Sequence, residues 1–267
     1  MSADQYEVYA VKYGHHARRA TDNFVGGDPH DAPMPLDYYV WVVRNATRTF
    51  VVDTGFNVEA AAARGRTLVH GVAEGLATLG IAPDAVDDVV ITHLHYDHAG
   101  NLPLFGRARF HLQDREMAFA TGRCMCHSLL SHGYSADDVT RMVRHVFERR
   151  VEFHDGSASL APGLELHHIG GHTDGLQVVR AMTRRGWVVL ASDASHFYAH
   201  MDGDRAFPVL YRLGDMLEGY KRLRALAESP RHVIPGHDPL VLQRYEAARP
   251  ELAGWVVRLD VEPTNRE

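Results

Sequence analysis

Three stretches near the start of the chain carry the apolar density of β-strands. Residues 6–13 (YEVYAVKY), 38–45 (YYVWVVRN) and 48–55 (RTFVVDTG) concentrate Val, Tyr, Phe and Trp, side chains that pack well on a pleated, half-buried surface. Only Ala46 and Thr47 separate the second from the third, which predicts a hairpin. Between the first two, residues 21–37 (TDNFVGGDPHDAPMPLD) are crowded with Gly, Pro and Asp. That composition predicts a long irregular loop, and long loops in compact domains are often functional. Residues 57–80 favour a helix with Asn57 as N-cap and Gly80 as terminator, weakened by Gly65, Gly71 and Gly75.

Further on, residues 87–95 (DDVVITHLH) read as a buried strand and 107–113 (RARFHLQ) as a shorter one. Residues 114–150 read as mostly helical. The second half returns to strands at 164–170, 176–183 and 186–193, then a helix at about 213–228 and a short strand at 231–236. Strands dominate each half, with helices between and after them. This predicts an α/β (α+β) fold of two sheets packed face to face with helices outside. The chain has no low-complexity segment, short-period repeat or obvious linker, so residues 1–267 are read as a single domain.

Composition narrows the function more than the fold. The 267 residues, 45% hydrophobic and 23% charged, are ordinary globular material with enough length for a real core. A net charge of −6 argues against general nucleic-acid binding, which needs a basic surface to displace counterions. No run reaches the roughly 20 apolar residues that span a bilayer, and the first residues lack a basic segment followed by an apolar one. The expectation is a soluble, cytoplasmic protein. Cys124 and Cys126 lack partners at zinc-ribbon spacing and read as ordinary reduced cysteines.

The chain holds 19 histidines, and their placement is the main signal. In VVITHLHYDHAGN (89–101), His93, His95, Asp97 and His98 crowd the end of an apolar run. Asp53, His172, Asp193 and His237 follow other apolar runs, each beside a Gly or at a polar break. Strand ends gather functional residues because their loops are exposed yet anchored. Five imidazoles with two or three carboxylates suit a transition metal such as Zn²⁺, Mn²⁺, Fe²⁺ or Co²⁺. So many ligands exceed one tetrahedral ion and predict two. The other histidines, among them His111, His132, His154 and His200, read as surface or hydrogen-bonded residues.

At these positions the chain resembles the metallo-β-lactamase superfamily. The matching pieces are VDTG (52–55), THLHYDHAGN (92–101), GGHTDG (170–175), SDAS (192–195) and PGHDP (235–239). The resemblance implies an αββα sandwich. It also implies one metal held by His93, His95 and His172, and a second held by Asp97, His98 and His237. Asp193 would bridge them, and Asp53 would orient ligand imidazoles from behind. Zinc is the default metal.

Such a pair of metals holds a hydroxide that attacks a carbonyl or phosphoryl centre, with Asp97 placed to pass a proton to the leaving group. Among the branches, the PGHDP and HLHYDHAGN segments look most like N-acyl homoserine lactone lactonases and their relatives, of which a homodimer would be typical. The implied activity is opening of a lactone ring, most directly an N-acyl homoserine lactone. The alternatives are hydrolysis of another small cyclic ester, amide or ester, or metal binding without catalysis. That family would place a substrate-orienting Tyr three residues after the bridging Asp. Here His196 stands there, with Tyr198 two residues on. Either His196 donates to the substrate carbonyl, or Tyr198 reaches in, or the substrate differs. Substrate-pocket walls are expected from 21–37, 122–134 and 196–212.

Overall fold

The computed structural model describes residues 4–264. Along them run β1 (Glu7–His16), β2 (Leu36–Arg44), β3 (Thr49–Val52), β4 (Thr67–Leu68), β5 (Asp88–Val90), β6 (Arg109–Gln113) and β7 (Val151–His154). Then come β8 (Ala158–Ala161), β9 (Leu164–His168), β10 (Gln177–Thr183), β11 (Gly186–Ser192), β12 (Val233–Pro235) and β13 (Val256–Arg258). They form two mixed sheets. The larger has the order β13-β1-β2-β3-β5-β6-β7, with β4 beside β1, and the smaller the order β12-β11-β10-β9-β8. The predicted hairpin is the antiparallel pair β2–β3, with Arg44 opposite Thr49.

Strand alternation explains how the layers assemble. In β2, Tyr39, Trp41 and Val43 face the small sheet and join its core. Tyr38, Val40 and Val42 face the other way, under the helices Val72–Thr78 and Ala136–Phe147. Side chains two apart share a face, so one strand supplies both cores, and both sets are buried. Trp41 is the bulkiest fully buried side chain between the sheets. A buried aromatic of this size removes roughly 150–250 Å² from water. The small sheet is covered on its outer side by the helix Leu213–Leu226, through Met216, Tyr220 and Leu223. The predicted sandwich with helices outside is the observed architecture.

Two expectations need correction. The single helix over 57–80 is two, Val58–Arg64 and Val72–Thr78, with β4 between them. Gly65 takes a left-handed conformation (φ 63°) and turns its N–H back to Ala61 and Ala62, which stops the first helix. Asn57 caps it as expected, accepting from Ala60 N. The strand over 87–95 shrinks to Asp88–Val90. Beyond it the ladder partners are replaced by carboxylates: Thr92 N donates to Asp53 Oδ1 at 2.8 Å and Leu94 N to Glu116 Oε1 at 2.9 Å. Strands β4, β7, β8 and β13 went unread because each is only two to four residues long, too short for a visible period. The 21–37 loop starts as a helical turn, Ala20–Asn23, and stays irregular until β2. Among the described residues, no helix is long and apolar enough to cross a membrane.

Gly75 shows packing overriding propensity. In a helix interior Ala is favoured over Gly by about 1 kcal/mol. Here a Cβ would sit 2.5 Å from Val11 Cγ1, on a buried residue of β1. We expect Gly75→Ala to destabilise the fold by roughly 1–3 kcal/mol in denaturant titration. Adding Val11→Ala should recover part of the loss; a stabilised Gly75→Ala would refute the close approach.

Candidate metal centre

Every residue singled out at a strand end lies at one edge of the sandwich. For three of them the backbone takes an unusual turn. Asp53 follows β3 with φ 63° and Ser192 ends β11 with φ 45°, conformations uncommon for residues other than Gly. Asp53 N still donates to Val90 O, so the strained residue remains tied to the sheet. His172 follows Gly170 and Gly171, at φ 75° and 87°. A Cβ on Gly171 would lie 2.6 Å from Met216 N, so no other residue fits. β12 runs parallel to β11, which sets His237 beside Asp193. Asp97 and His98 sit on the single helical turn Tyr96–Ala99.

The side chains converge as two groups joined by one carboxylate. In the first, His172 Nε2 lies 3.2 Å from His93 Nε2 and 2.9 Å from His95 Nδ1. In the second, His98 Nε2 lies 3.5 Å from Asp97 Oδ2, and His237 Nε2 lies 3.9 Å from the same oxygen. Asp193 spans them. Its Oδ2 is 3.3 Å from His172 Nε2, and its Oδ1 is 3.2 Å from His98 Nε2 and 3.0 Å from His237 Nε2. All seven side chains are buried.

Backbone carbonyls orient two of these rings. His172 Nδ1 donates to Val209 O at 2.7 Å and His237 Nδ1 to Asp37 O at 3.0 Å. A carbonyl only accepts, so in the neutral rings each Nε2 offers a bare lone pair inward. His98 Nδ1 meets Asp53 Oδ2 at 2.7 Å, leaving its buried Nε2 without a hydrogen-bond partner. Converging lone pairs and carboxylates fit divalent cations, and the trios His93–His95–His172 and Asp97–His98–His237 bring their ligand atoms within 4.8 Å of one another. The electrostatics agree. Burial pulls the pKa values of His93 and His95 well below the ordinary value, with nearby imidazoles adding to it. Burial also opposes charge on His98, yet Asp193, Asp97 and Asp53 outweigh it and raise its pKa. The site calls for positive charge among its carboxylates.

Asp53 lies behind His98, bonded to its Nδ1. It also accepts from Thr92 Oγ1 at 2.8 Å, and Thr92 in turn meets Ser192 Oγ at 2.9 Å. His196 lines the cavity over the cluster. Its Nε2 is 2.9 Å from Asp193 Oδ2, and its ring stacks on Phe207 with centroids 3.6 Å apart. Burial, against the pull of Asp193, depresses its pKa to about 3. Its Nε2 is thus engaged with Asp193 in this structure. Tyr198 is a correction. It is packed in the core between the sheets beneath Arg244, whose guanidinium lies 4.0 Å from its ring, and it does not line the cavity.

The sequence reading missed Glu116. Its carboxylate is completely buried. Oε1 accepts from Leu94 N and Tyr134 Oη, both at 2.9 Å; Oε2 accepts from Thr173 Oγ1 at 2.6 Å and Gly175 N at 3.2 Å. It ties the His93–His95 loop to the loop carrying His172, and Tyr134 meets His95 edge-on at 4.5 Å. Nothing in the segment around Glu116 marks it, since one acid early in a helix looks like a solvated first turn. His132, read as an ordinary surface histidine, lines the cavity. His111 and His154, also read as ordinary, meet at 3.1 Å away from the cluster, with Asp88 3.0 Å from His111.

A model of the metallo-beta-lactamase superfamily matches residues 34–243. The chain is 29% identical over 234 residues to the N-acyl homoserine lactonase AiiB of Agrobacterium fabrum, covering 77% of this chain and 80% of that one. It is 31% identical over 177 residues to the N-acyl homoserine lactonase AttM of Azorhizobium caulinodans, 64% and 65% of the two chains. Among solved structures it is similar to a quorum-quenching N-acyl homoserine lactone lactonase, with TM-score 0.74 and 20% identity over 89% of this chain and 94% of that one. It is also similar to AidC, a dizinc quorum-quenching lactonase, with TM-score 0.69 and 16% identity over 89% of each.

Glu116→Gln keeps the size but presents an NH₂ to donors on one side. Metal affinity should fall by roughly 10–100-fold, the usual effect of losing such a supporting partner, and the melting temperature should fall with it. Competition with a chromogenic chelator reads the first. An unchanged affinity would mean that Glu116 only packs.

Proposed function

The chain belongs to the metallo-β-lactamase superfamily, and from that premise we propose that it is a single-domain, dinuclear metal-dependent hydrolase that opens lactone rings. A metal-dependent hydrolase acting on ester bonds is the activity common to the family match and the lactonase relatives. The observation that carries the two-metal reading is Asp193, with one oxygen directed at His172 and the other at His98 and His237.

Two divalent ions there, zinc by default with manganese, iron or cobalt compatible with the same donors, would lower the pKa of water and polarise an ester carbonyl. The chain's residues do the rest. His93, His95 and His172 form one pocket of neutral nitrogen, and Asp97, His98 and His237 a second with added negative charge. Asp53 fixes the His98 ring, and Asp37 and Val209 fix His237 and His172 through their carbonyls. His196 holds the bridging carboxylate in place. Asp97 lines the cavity, and His98 and His237 keep it ionised against burial. It is the group placed to take a proton from attacking water and return it to the leaving alkoxide. The cavity over the cluster is small, about 70 Å³.

N-acyl homoserine lactones are the first substrates to try, because the relatives AiiB and AttM bear that activity in their names. A second reading, another small cyclic ester or ester, is favoured by the cavity lining. Its outer wall carries Arg18, Arg64 and Arg66, a poor match for an apolar acyl chain.

The deciding measurement is proton release by zinc-loaded protein given a long-chain N-acyl homoserine lactone, with a chelator-treated control. Metal-dependent acid production with kcat/KM above about 10⁴ M⁻¹s⁻¹ supports that substrate. Absence of turnover on a panel of lactones and esters, with metals bound, would overturn the hydrolase reading. Asp97→Asn should lower kcat by roughly 10²–10⁴-fold. His98→Ala should reduce bound metal from two per chain toward one by elemental analysis; unchanged metal content would remove His98 from the ligand set.

A further inference from the structure

The cavity that ends on the histidine cluster begins on arginines. Arg18, Arg64 and Arg66 line its outer part. Arg64 and Arg66, with His132, also line an adjoining, more open hollow of about 580 Å³. Many arginines of this acidic protein find carboxylates, as Arg19 does with Asp31 and Arg205 with Asp28, both at 2.6 Å; others, such as Arg123, Arg141 and Arg231, do not, but those do not line the cavity over the cluster. Among the described residues no Asp or Glu side chain forms an ion pair with any of the three at the mouth, by the 4.0 Å distance that defines the others.

Their donors are not equally committed. Arg64 is a strut. It donates to His132 O at 2.8 Å and Tyr134 O at 3.1 Å, and lies 4.0 Å from the Tyr96 ring centre. Arg66 donates from Nε to Tyr96 Oη at 3.0 Å, and its Nη1 meets Arg64 O and His16 Nε2. Its Nη2 has no protein partner among these bonds. Arg18 makes one bond, from Nη2 to Asp22 O. A guanidinium carries five N–H donors in a fork that matches an oxyanion. Both charges act on the partly buried His16, whose pKa burial and Arg66 and Arg18 together push down to about 4. Two like charges thus share a half-buried mouth with donors to spare and no carboxylate within ion-pair distance, although Asp22 acts on Arg18 and Asp97 on Arg66 from further off.

Resting on the ester-hydrolase reading above, we propose that Arg18 and Arg66 bind an oxyanion group of the substrate, a carboxylate or a phosphate, so that this enzyme acts on anionic lactones or esters. The charged end would sit at the mouth while the ester carbonyl reaches the histidine cluster. The arginines then act in binding and selection, not in bond making.

The test pairs γ-butyrolactone with its ring carboxylate, and a neutral sugar lactone with its phosphate ester, on zinc-loaded protein. The expected result is a kcat/KM preference of about 10–100-fold for one of the charged lactones, the scale of one or two charge-assisted hydrogen bonds, and which pair shows it identifies the anion. That charged-to-neutral ratio should fall by about 10-fold in Arg18→Gln and in Arg66→Gln, through KM, and should shrink as salt is raised. Arg18→Glu should invert it. Arg18, with a single protein bond, carries the test if Arg66→Gln disturbs Tyr96. Equal rates on charged and neutral lactones would overturn the proposal and leave the hydrolase standing. Calorimetry with cyclopentanone and its ring carboxylate, which cannot be hydrolysed, separates the other failure. Tighter binding of the carboxylate without turnover of any ester would sink the hydrolase and keep the anion site; equal binding of the two ketones would sink the anion site.

Discussion

Asp193 is the constraint around which the molecule is arranged. One buried carboxylate faces four imidazoles, those of His98, His172, His196 and His237, all within 3.3 Å. Burial alone would push its pKa up. The surrounding histidines instead hold it well below the ordinary carboxylate range. Three of those rings have their far nitrogens engaged, His172 and His237 on carbonyls and His98 on Asp53, so they are held facing the shared anion. The rest of the chemistry is a matter of keeping those rings from turning away.

That requirement explains where the chain accepts poor backbone geometry. Left-handed conformations at Asp53 and Ser192 cost free energy and persist only where the surroundings over-determine them. Both sit where a strand hands over to a turn at the cluster, and both are joined through Thr92, which meets Asp53 on one side and Ser192 on the other. One hydroxyl therefore links the last residues of the two sheets directly behind the cluster. Glu116 repeats the device from the far side, closing the His95 and His172 loops onto one carboxylate. A sandwich of two sheets provides two independent sets of strand ends, and these side-chain links make them one rigid edge.

The converging histidines and aspartates were legible in the sequence because they stand at strand ends, and apolar runs announce strand ends well. His93 to His98 are adjacent in sequence, so no tertiary knowledge was needed to see them. The sandwich was legible for a related reason: long strands such as β1, β2 and β11 carry their own periodicity. What escaped was set by tertiary contact. Glu116 looks like any acid in a first helical turn until its four donors, drawn from distant segments, are in place. Tyr198 stood near the right sequence position, but the turn after Ser195 sends it into the core and leaves His196 facing the cavity. Gly75 looked like a helix weakness, and is the point where the helix must touch β1.

The mouth and the floor of the cavity pose opposite electrostatic problems, and the fold separates them along one path. The floor concentrates carboxylates and imidazoles; the mouth concentrates guanidinium groups. Were the arginines closer in, they would compete with metal for Asp97 and Asp193. Their tethers prevent it: Arg64 is pinned by the His132 and Tyr134 carbonyls and Arg66 by the Tyr96 hydroxyl. Tyr96 directly precedes Asp97 in the helical turn, so the residue that restrains the outer charge shares its backbone with an inner ligand. A protein with net charge −6 repels a small anion at long range, and a local cluster of unpaired arginines is what reverses that field within about a Debye length, ~8 Å at physiological salt. Selection by charge at the entrance and activation by charge at the floor are then two uses of the same short cavity, held apart by a single tyrosine and its neighbours.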